Sequence, residues 1–204
     1  MADAHAHGLT HRDIKPANLF LCRLGPSADH LKLLDFGLVQ EAQAPSATLT
    51  AEGTMAGTPA YMAPEMVLER GAVDGRSDIY ALGCVAYWLC TGTLVFETES
   101  AREQIVEHIK TVPAPPSTRT ELAIAPALEA IVMKCLEKDP RDRFDSAAAL
   151  AAALREVPLP VSWDTGRATA WWDSWTPPDV AADVSPEMAR TTMEHVVPPA
   201  AQTV

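Results

Sequence analysis

The sequence predicts a mainly α-helical fold, a bundle packed around one buried central helix, with a single small β-hairpin. Three observations carry this reading. From about Ser77 to Leu89 the residues Ile79, Leu82, Val85, Trp88 and Leu89, with Cys84 and Ala86 between them, make the segment apolar nearly all round, as in a helix buried on every side. Further along, apolar residues recur at helical spacing behind recognisable start signals. Only two short apolar runs, 19–22 and 31–34, read as strands, and Gly25-Pro26-Ser27 between them supplies a turn.

Taken in chain order, residues 1–10 read as the end of a helix, because Ala2, Ala4 and Ala6 favour helix and Gly8 is a natural stop. The hairpin and the central helix follow. Ser100 with Glu103 three residues on forms a capping box, after which Ile105, Val106 and Ile109 are expected to line one face up to Lys110. Pro113 to Pro116 is a loop. Pro126 suits a first helical turn, and Leu128, Ile131, Val132, Cys135 and Leu136 then follow the i, i+3, i+4, i+7, i+8 pattern. Ser146 caps a last, alanine-rich helix reaching Arg155. Beyond Val157 the composition shifts, with prolines at 158, 160, 177, 178, 186, 198 and 199 and tryptophans at 163, 171, 172 and 175. The expected organisation is therefore one domain, 1–155, and a mostly disordered tail, 156–204. The tryptophans point either to partial docking on the domain or to a short partner-binding motif. Ser185-Pro186 with Met188, Met193 and Val196 could make one short helix.

A chain of 204 residues has room for one sizeable core plus such a tail. Its formal net charge of -11 argues against a nucleic-acid or anionic-membrane partner held by bulk electrostatics. Cys22, Cys84, Cys90 and Cys135 form no C-x-x-C pair, so neither a zinc site nor a disulfide framework is expected, and a reducing cytoplasm is the default location. No stretch approaches about 18 uninterrupted apolar residues, so no membrane segment is expected.

The chemistry concentrates in His11-Arg12-Asp13-Ile14-Lys15-Pro16-Ala17-Asn18, followed by Asp35-Phe36-Gly37. A carboxylate base, a lysine, an amide and a second carboxylate at this spacing suit phosphoryl transfer. That reaction passes through a loose transition state with charge spread over the phosphoryl oxygens, so positioning and charge neutralisation do most of the catalysis. Hard oxygen ligands suit magnesium, and a lysine suits phosphate.

With Gly57-Thr58-Pro59-Ala60-Tyr61-Met62-Ala63-Pro64-Glu65, Asp78 at the head of the central helix and Arg143 before the last helix, these motifs stand in the order found in one family. The chain resembles the eukaryotic-like (Hanks-type) serine/threonine protein kinases, in their bacterial style. The fold this implies is a protein-kinase-like C-terminal lobe over residues 1 to about 155, with the N-terminal lobe absent. By resemblance, Asp13 is the base that accepts a serine or threonine proton, Lys15 neutralises the transferring phosphate, and Asn18 and Asp35 hold Mg2+ on ATP. Lys15 together with Thr58 in the substrate loop is similar to the serine/threonine branch. Leu19 and Phe20 correspond to the floor under adenine, and Arg12 to an arginine that awaits a phosphorylated activation segment, where Thr48, Thr50 and Thr54 are the candidate phosphosites. Glu65 and Arg143 look like a buried ion pair, Asp78 like an anchor for the catalytic-loop backbone, and His11 and Phe36 like members of a hydrophobic stack.

No Gly-x-Gly-x-x-Gly loop, no Val-Ala-x-Lys strand and no helix bearing that lysine's glutamate partner precede the catalytic loop. The resemblance thus implies a fragment with little activity by itself and an apolar surface exposed around Phe20 and Phe36. The alternative is a non-catalytic kinase-like binding or scaffold module, against which the joint retention of Asp13, Asn18 and Asp35 argues. A third option is a separately encoded upper lobe that assembles with this chain. Expected partners are proteins carrying serine or threonine, ATP, and a partner for the tryptophan-rich tail.

Overall fold

The computed structural model describes residues 1–24, 27–35, 40–41, 58–68, 73–159 and 161–175. Phe36, Thr48, Thr50 and Thr54, and the short helix expected near Ser185, lie outside them. In order, the elements are α1 (Ala2–Ala6), β1 (Leu9–Thr10), β2 (Leu19–Leu24), β3 (Ser27–Leu33), β4 (Gln40–Glu41), α2 (Pro64–Leu68), α3 (Gly75–Thr91), α4 (Ala101–Lys110), α5 (Pro126–Cys135), α6 (Ala147–Arg155) and α7 (Thr165–Ser174). Short 3-10 turns at Pro16–Asn18, Pro59–Tyr61, Pro116–Thr118 and Pro140–Asp142 each open on a proline.

Helix α3 is the axis of the bundle. Asp74 caps it by accepting from the Arg76 N–H at 2.9 Å, and Gly92 ends it at φ +74, where its N–H reaches the Trp88 carbonyl at 2.8 Å. Those two signals make it longer at both ends than the apolar run by itself suggests. Ile79, Tyr80 and Tyr87 are fully buried, and helices α5 and α6 pack against α3. Not every side of it is covered: Leu89 is 71% exposed. Gly83 lies where α3 comes close to α5. A Cβ there would lie 2.6 Å from the Cβ of Cys135 on α5. Gly83→Ala is expected to push the two helices apart and cost about 1–3 kcal/mol in urea denaturation; a change below about 0.5 kcal/mol would show that the contact relaxes freely.

Ser100 caps α4 as its capping-box pattern predicts, accepting from the Glu103 N–H at 3.2 Å, and Ser146 caps α6 by accepting from Ala149 N–H at 3.1 Å. The inner face of α4 differs from expectation. Ile105 is buried, but Val106 is exposed and the polar His108 takes the inner position. Its ring meets Phe96 edge-on at 5.0 Å, its Nδ1 lies 2.8 Å from the Tyr80 hydroxyl, and its carbonyl accepts from Lys138 Nζ at 2.8 Å. Burial first, and the neighbouring Lys138 charge second, hold the imidazole pKa down at about 4. Unfolded, the same side chain takes up its proton near 6.5, so the unfolded state binds more protons across that window. Stability is therefore expected to fall as pH drops from about 6.5 toward 4, by up to about 3 kcal/mol. Equilibrium unfolding at pH 7 and pH 4.5 checks this, and His108→Gln should flatten the difference.

β2 and β3 form the expected antiparallel hairpin, Leu19 opposite Leu33 and Leu21 opposite Leu31. A second pairing joins β1 to β4, two residues each. Strands that short leave no pattern in a sequence. Phe20 is 48% exposed. An apolar groove of about 590 Å³ lies between the hairpin and helices α3, α5 and α6, lined by Leu21, Leu31, Leu82, Trp88, Leu89 and Leu154. Within the segment expected to be a mostly disordered tail, Thr165–Ser174 form α7, which docks on β3. All four cysteines are free, and among the described residues no helix is long and apolar enough to cross a membrane.

Candidate active site

Asp13, Lys15 and Asn18 sit between β1 and β2 on a loop whose backbone is tied to the central helix. The Asp78 carboxylate, buried in the first turn of α3, accepts the N–H groups of His11 and Arg12, each at 2.8 Å. His5 on α1 adds a third bond to it at 2.9 Å, a contact that nothing in the local sequence announces. These bonds hold Arg12 at φ +67, a left-handed conformation that a bulky residue rarely adopts. His11 is buried and its Nε2 bonds the Leu34 carbonyl at 3.1 Å, while the Leu34 N–H donates to the Asn18 carbonyl at 2.9 Å. The end of β3 is thus stitched to the loop. Asp35, the next residue, is exposed at φ +66.

Thr58 arrives from far along the chain. Its hydroxyl donates to Asp13 Oδ1 at 3.1 Å and accepts from Lys15 Nζ at 3.0 Å, while Lys15 Nζ also pairs with Asp13 Oδ2 at 2.7 Å. Asn18 Nδ2 donates to the Asp13 carbonyl at 2.8 Å and to Oδ2 at 3.2 Å. Four of the residues singled out in the sequence therefore share one hydrogen-bonded cluster. The carboxylate is fixed by lysine, hydroxyl and amide and is mostly sheltered.

Among the described residues no group of three or more His, Cys, Asp or Glu could hold a metal. The donor set nevertheless suits magnesium, which takes one or two protein oxygens plus water and phosphate. With its amide nitrogen committed to Asp13, Asn18 retains a carbonyl oxygen, and Asp35 offers a carboxylate at the adjoining strand end.

Beneath the site, Glu65 and Arg143 form a bidentate pair, Nη1 to Oε1 at 2.7 Å and Nη2 to Oε2 at 2.9 Å, with side chains 6% and 0% exposed. Ser77 donates to Glu65 Oε1 at 2.7 Å. The remaining guanidinium hydrogens reach the carbonyls of Glu137, Arg76 and Lys138 at 2.7, 2.9 and 3.1 Å. The guanidinium also stacks 4.8 Å from the centre of the Tyr80 ring. Ser77 and Tyr80 were not marked by the sequence motifs. Both belong to α3 and find their partners only when the helices pack.

The described residues thus form a helical bundle whose loop is anchored by a buried aspartate and gathers a carboxylate, lysine, amide and hydroxyl in one cluster. Residues 1–154 match the family described as the protein kinase domain. The chain is 47% identical over 152 residues to the serine/threonine-protein kinase Pkn1 of Myxococcus xanthus, covering 74% of this chain and 22% of that protein. It is 40% identical over 161 residues to pkn3 of the same organism, covering 77% and 29%, and 37% identical over 155 residues to PknB of Mycolicibacterium smegmatis, covering 76% and 24%. The chain thus spans less than a third of the length of these relatives. It belongs to the protein kinase domain family, in the bacterial, eukaryotic-like (Hanks-type) serine/threonine branch.

Proposed function

We propose that the chain is the C-terminal lobe of a serine/threonine protein kinase that transfers the γ-phosphoryl group of ATP to serine or threonine hydroxyls of proteins. The observation that carries this reading is the cluster of Asp13, Lys15, Asn18 and Thr58, joined across 45 positions of sequence. In it Asp13 orients the substrate hydroxyl and takes its proton, Lys15 neutralises the transferring phosphoryl group, and Thr58 bridges the two. Asn18 and Asp35 would hold magnesium, which when bound screens the phosphate charge. Phe20, exposed on β2, would lie under the adenine ring.

In the same reading Arg12 awaits phosphate on Thr48, Thr50 or Thr54, and Phe36 joins His11 in a hydrophobic stack. A reducing cytoplasm suits the four free thiols. The apolar groove beside the hairpin favours a second reading, a non-catalytic binding module. Label transfer from γ-labelled ATP to a generic protein substrate separates the two, with this chain joined behind the nucleotide-binding segment of a longer relative. Transfer that depends on Asp13 supports the kinase; no transfer from a folded chimera that binds ATP overturns it.

A further inference from the structure

Residues 161–175 lie beyond the part matched by the family, yet they grip the hairpin beside the site. Asp29 on β3 receives two indole N–H groups, one on each carboxylate oxygen: Trp163 Nε1 donates to Oδ2 at 2.6 Å and Trp172 Nε1 to Oδ1 at 2.8 Å. Arg23 on β2 pairs with Asp173 of α7 at 2.6 Å. The helix therefore holds both strands near the end where they connect. The Arg23–Asp173 pair is largely exposed on both sides and contributes little. The paired indole donors on one carboxylate carry the attachment.

Two features show that this attachment is built in. Asp29 sits at φ +59, a strained conformation that aspartate tolerates better than most residues, and the hairpin register shifts between Cys22 and Leu24 beside it. Trp172 is itself held edge-on by Trp171 at 5.0 Å and Trp175 at 5.7 Å, so its ring is fixed from the α7 side as well as at Asp29. The hairpin needs such help. Phe20, Leu21, Leu24, Leu31 and Leu34 are each between 44% and 59% exposed, and a two-stranded ribbon is marginal by itself. Beyond that shift an in-register ladder runs from Cys22–His30 through Phe20–Lys32 to Leu19–Leu33, two residues short of Asp35.

We propose that Trp163 and α7 form an intrachain clamp on the β2–β3 hairpin, and that Asp29 is the positioning residue through which the clamp sets Phe20 and Asp35. The inference rests on the nucleotide and magnesium roles proposed above for those two residues. The test uses the full chain with Asp29→Asn, which tolerates the left-handed backbone but loses one acceptor and the charge, and with Trp163→Phe/Trp172→Phe, which keeps both rings and loses both donors. Hydrogen exchange of the hairpin amides is read against α3 amides as the folding control, and Mg2+-ATP binding is titrated in parallel. Both variants should lose about tenfold or more of the hairpin protection with α3 unchanged, and bind Mg2+-ATP about threefold or more weakly. Hairpin protection within twofold of wild type overturns the clamp, and lost protection with unchanged affinity overturns the positioning role. If the wild-type chain binds no Mg2+-ATP, the reading of Phe20 and Asp35 fails instead, and the exchange measurement still decides the clamp.

Discussion

Arg143→Met is expected to remove roughly 3–5 kcal/mol of folding stability, because it leaves the Glu65 carboxylate buried without its cation. Against a domain total of about 5–15 kcal/mol, that is enough to unfold a large share of the chain at ambient temperature. The usual objection is that buried ion pairs add little, since desolvation offsets the attraction and an apolar pair often does as well. Here the objection applies only in part. Of the five guanidinium bonds, two go to Glu65 and three to backbone carbonyls of Arg76, Glu137 and Lys138. An apolar replacement of both partners would still orphan those carbonyls, at about 1–3 kcal/mol each if they stay dry. The double variant Glu65→Leu/Arg143→Met should therefore recover only part of the loss. Urea unfolding of the two variants checks both statements: a single-variant cost below about 1 kcal/mol, or full recovery in the double, would mean that water reaches the site.

Asp13→Asn is expected to lower phosphoryl transfer by about 10²–10⁴-fold, the usual contribution of a positioned base. The substitution keeps the side chain's shape while removing the negative oxygen that Lys15 pairs with at 2.7 Å. Because the base acts as the hydroxyl attacks, the loss should fall on kcat, with KM for ATP little changed. Lys15→Ala should also reduce kcat, but Asp13→Asn/Lys15→Ala should cost less than the product of the single losses, since the two groups share one network. The measurement is steady-state label transfer by the chain joined behind the nucleotide-binding segment of a complete protein kinase. A variant retaining a tenth or more of the wild-type kcat would remove Asp13 from the role of base. The chain without that segment is expected to give transfer near background, because the reaction depends on closing the phosphates off from water.

Much of the architecture was legible because it depends on near neighbours. Caps at Ser100 and Ser146 and the apolar spacing in α5 are local properties, and the structure contains those helices where the pattern puts them. The inner face of α4 was not legible in the same way. Val106 and His108 sit two positions apart, and hydropathy favours valine, but Tyr80 and Phe96 supply partners that make the histidine the better fit. Helix α7 was hidden by prolines on either side and by its own tryptophans. Its register is set by Asp29, more than 130 positions earlier.

The site divides along the same line. Asp13, Lys15 and Asn18 fall within six residues, and their types alone point to phosphoryl transfer, because the reaction demands a base, a cation and metal-binding oxygens close together. That Thr58 closes the cluster, that Asp78 and His5 hold the loop from below, and that Arg143 finds all five of its acceptors were decided by tertiary packing. Apart from the Arg143 bonds to Glu137 and Lys138, these contacts join residues 43 to 78 positions apart, and their geometry follows from how α3 is buried among its neighbours. The sequence by itself determined the family to which the chain belongs and where helices α3 to α6 form, since both are written in residue type and short-range spacing. Which distant side chains meet, and which faces stay open, was decided only when burial of the central helix brought them together.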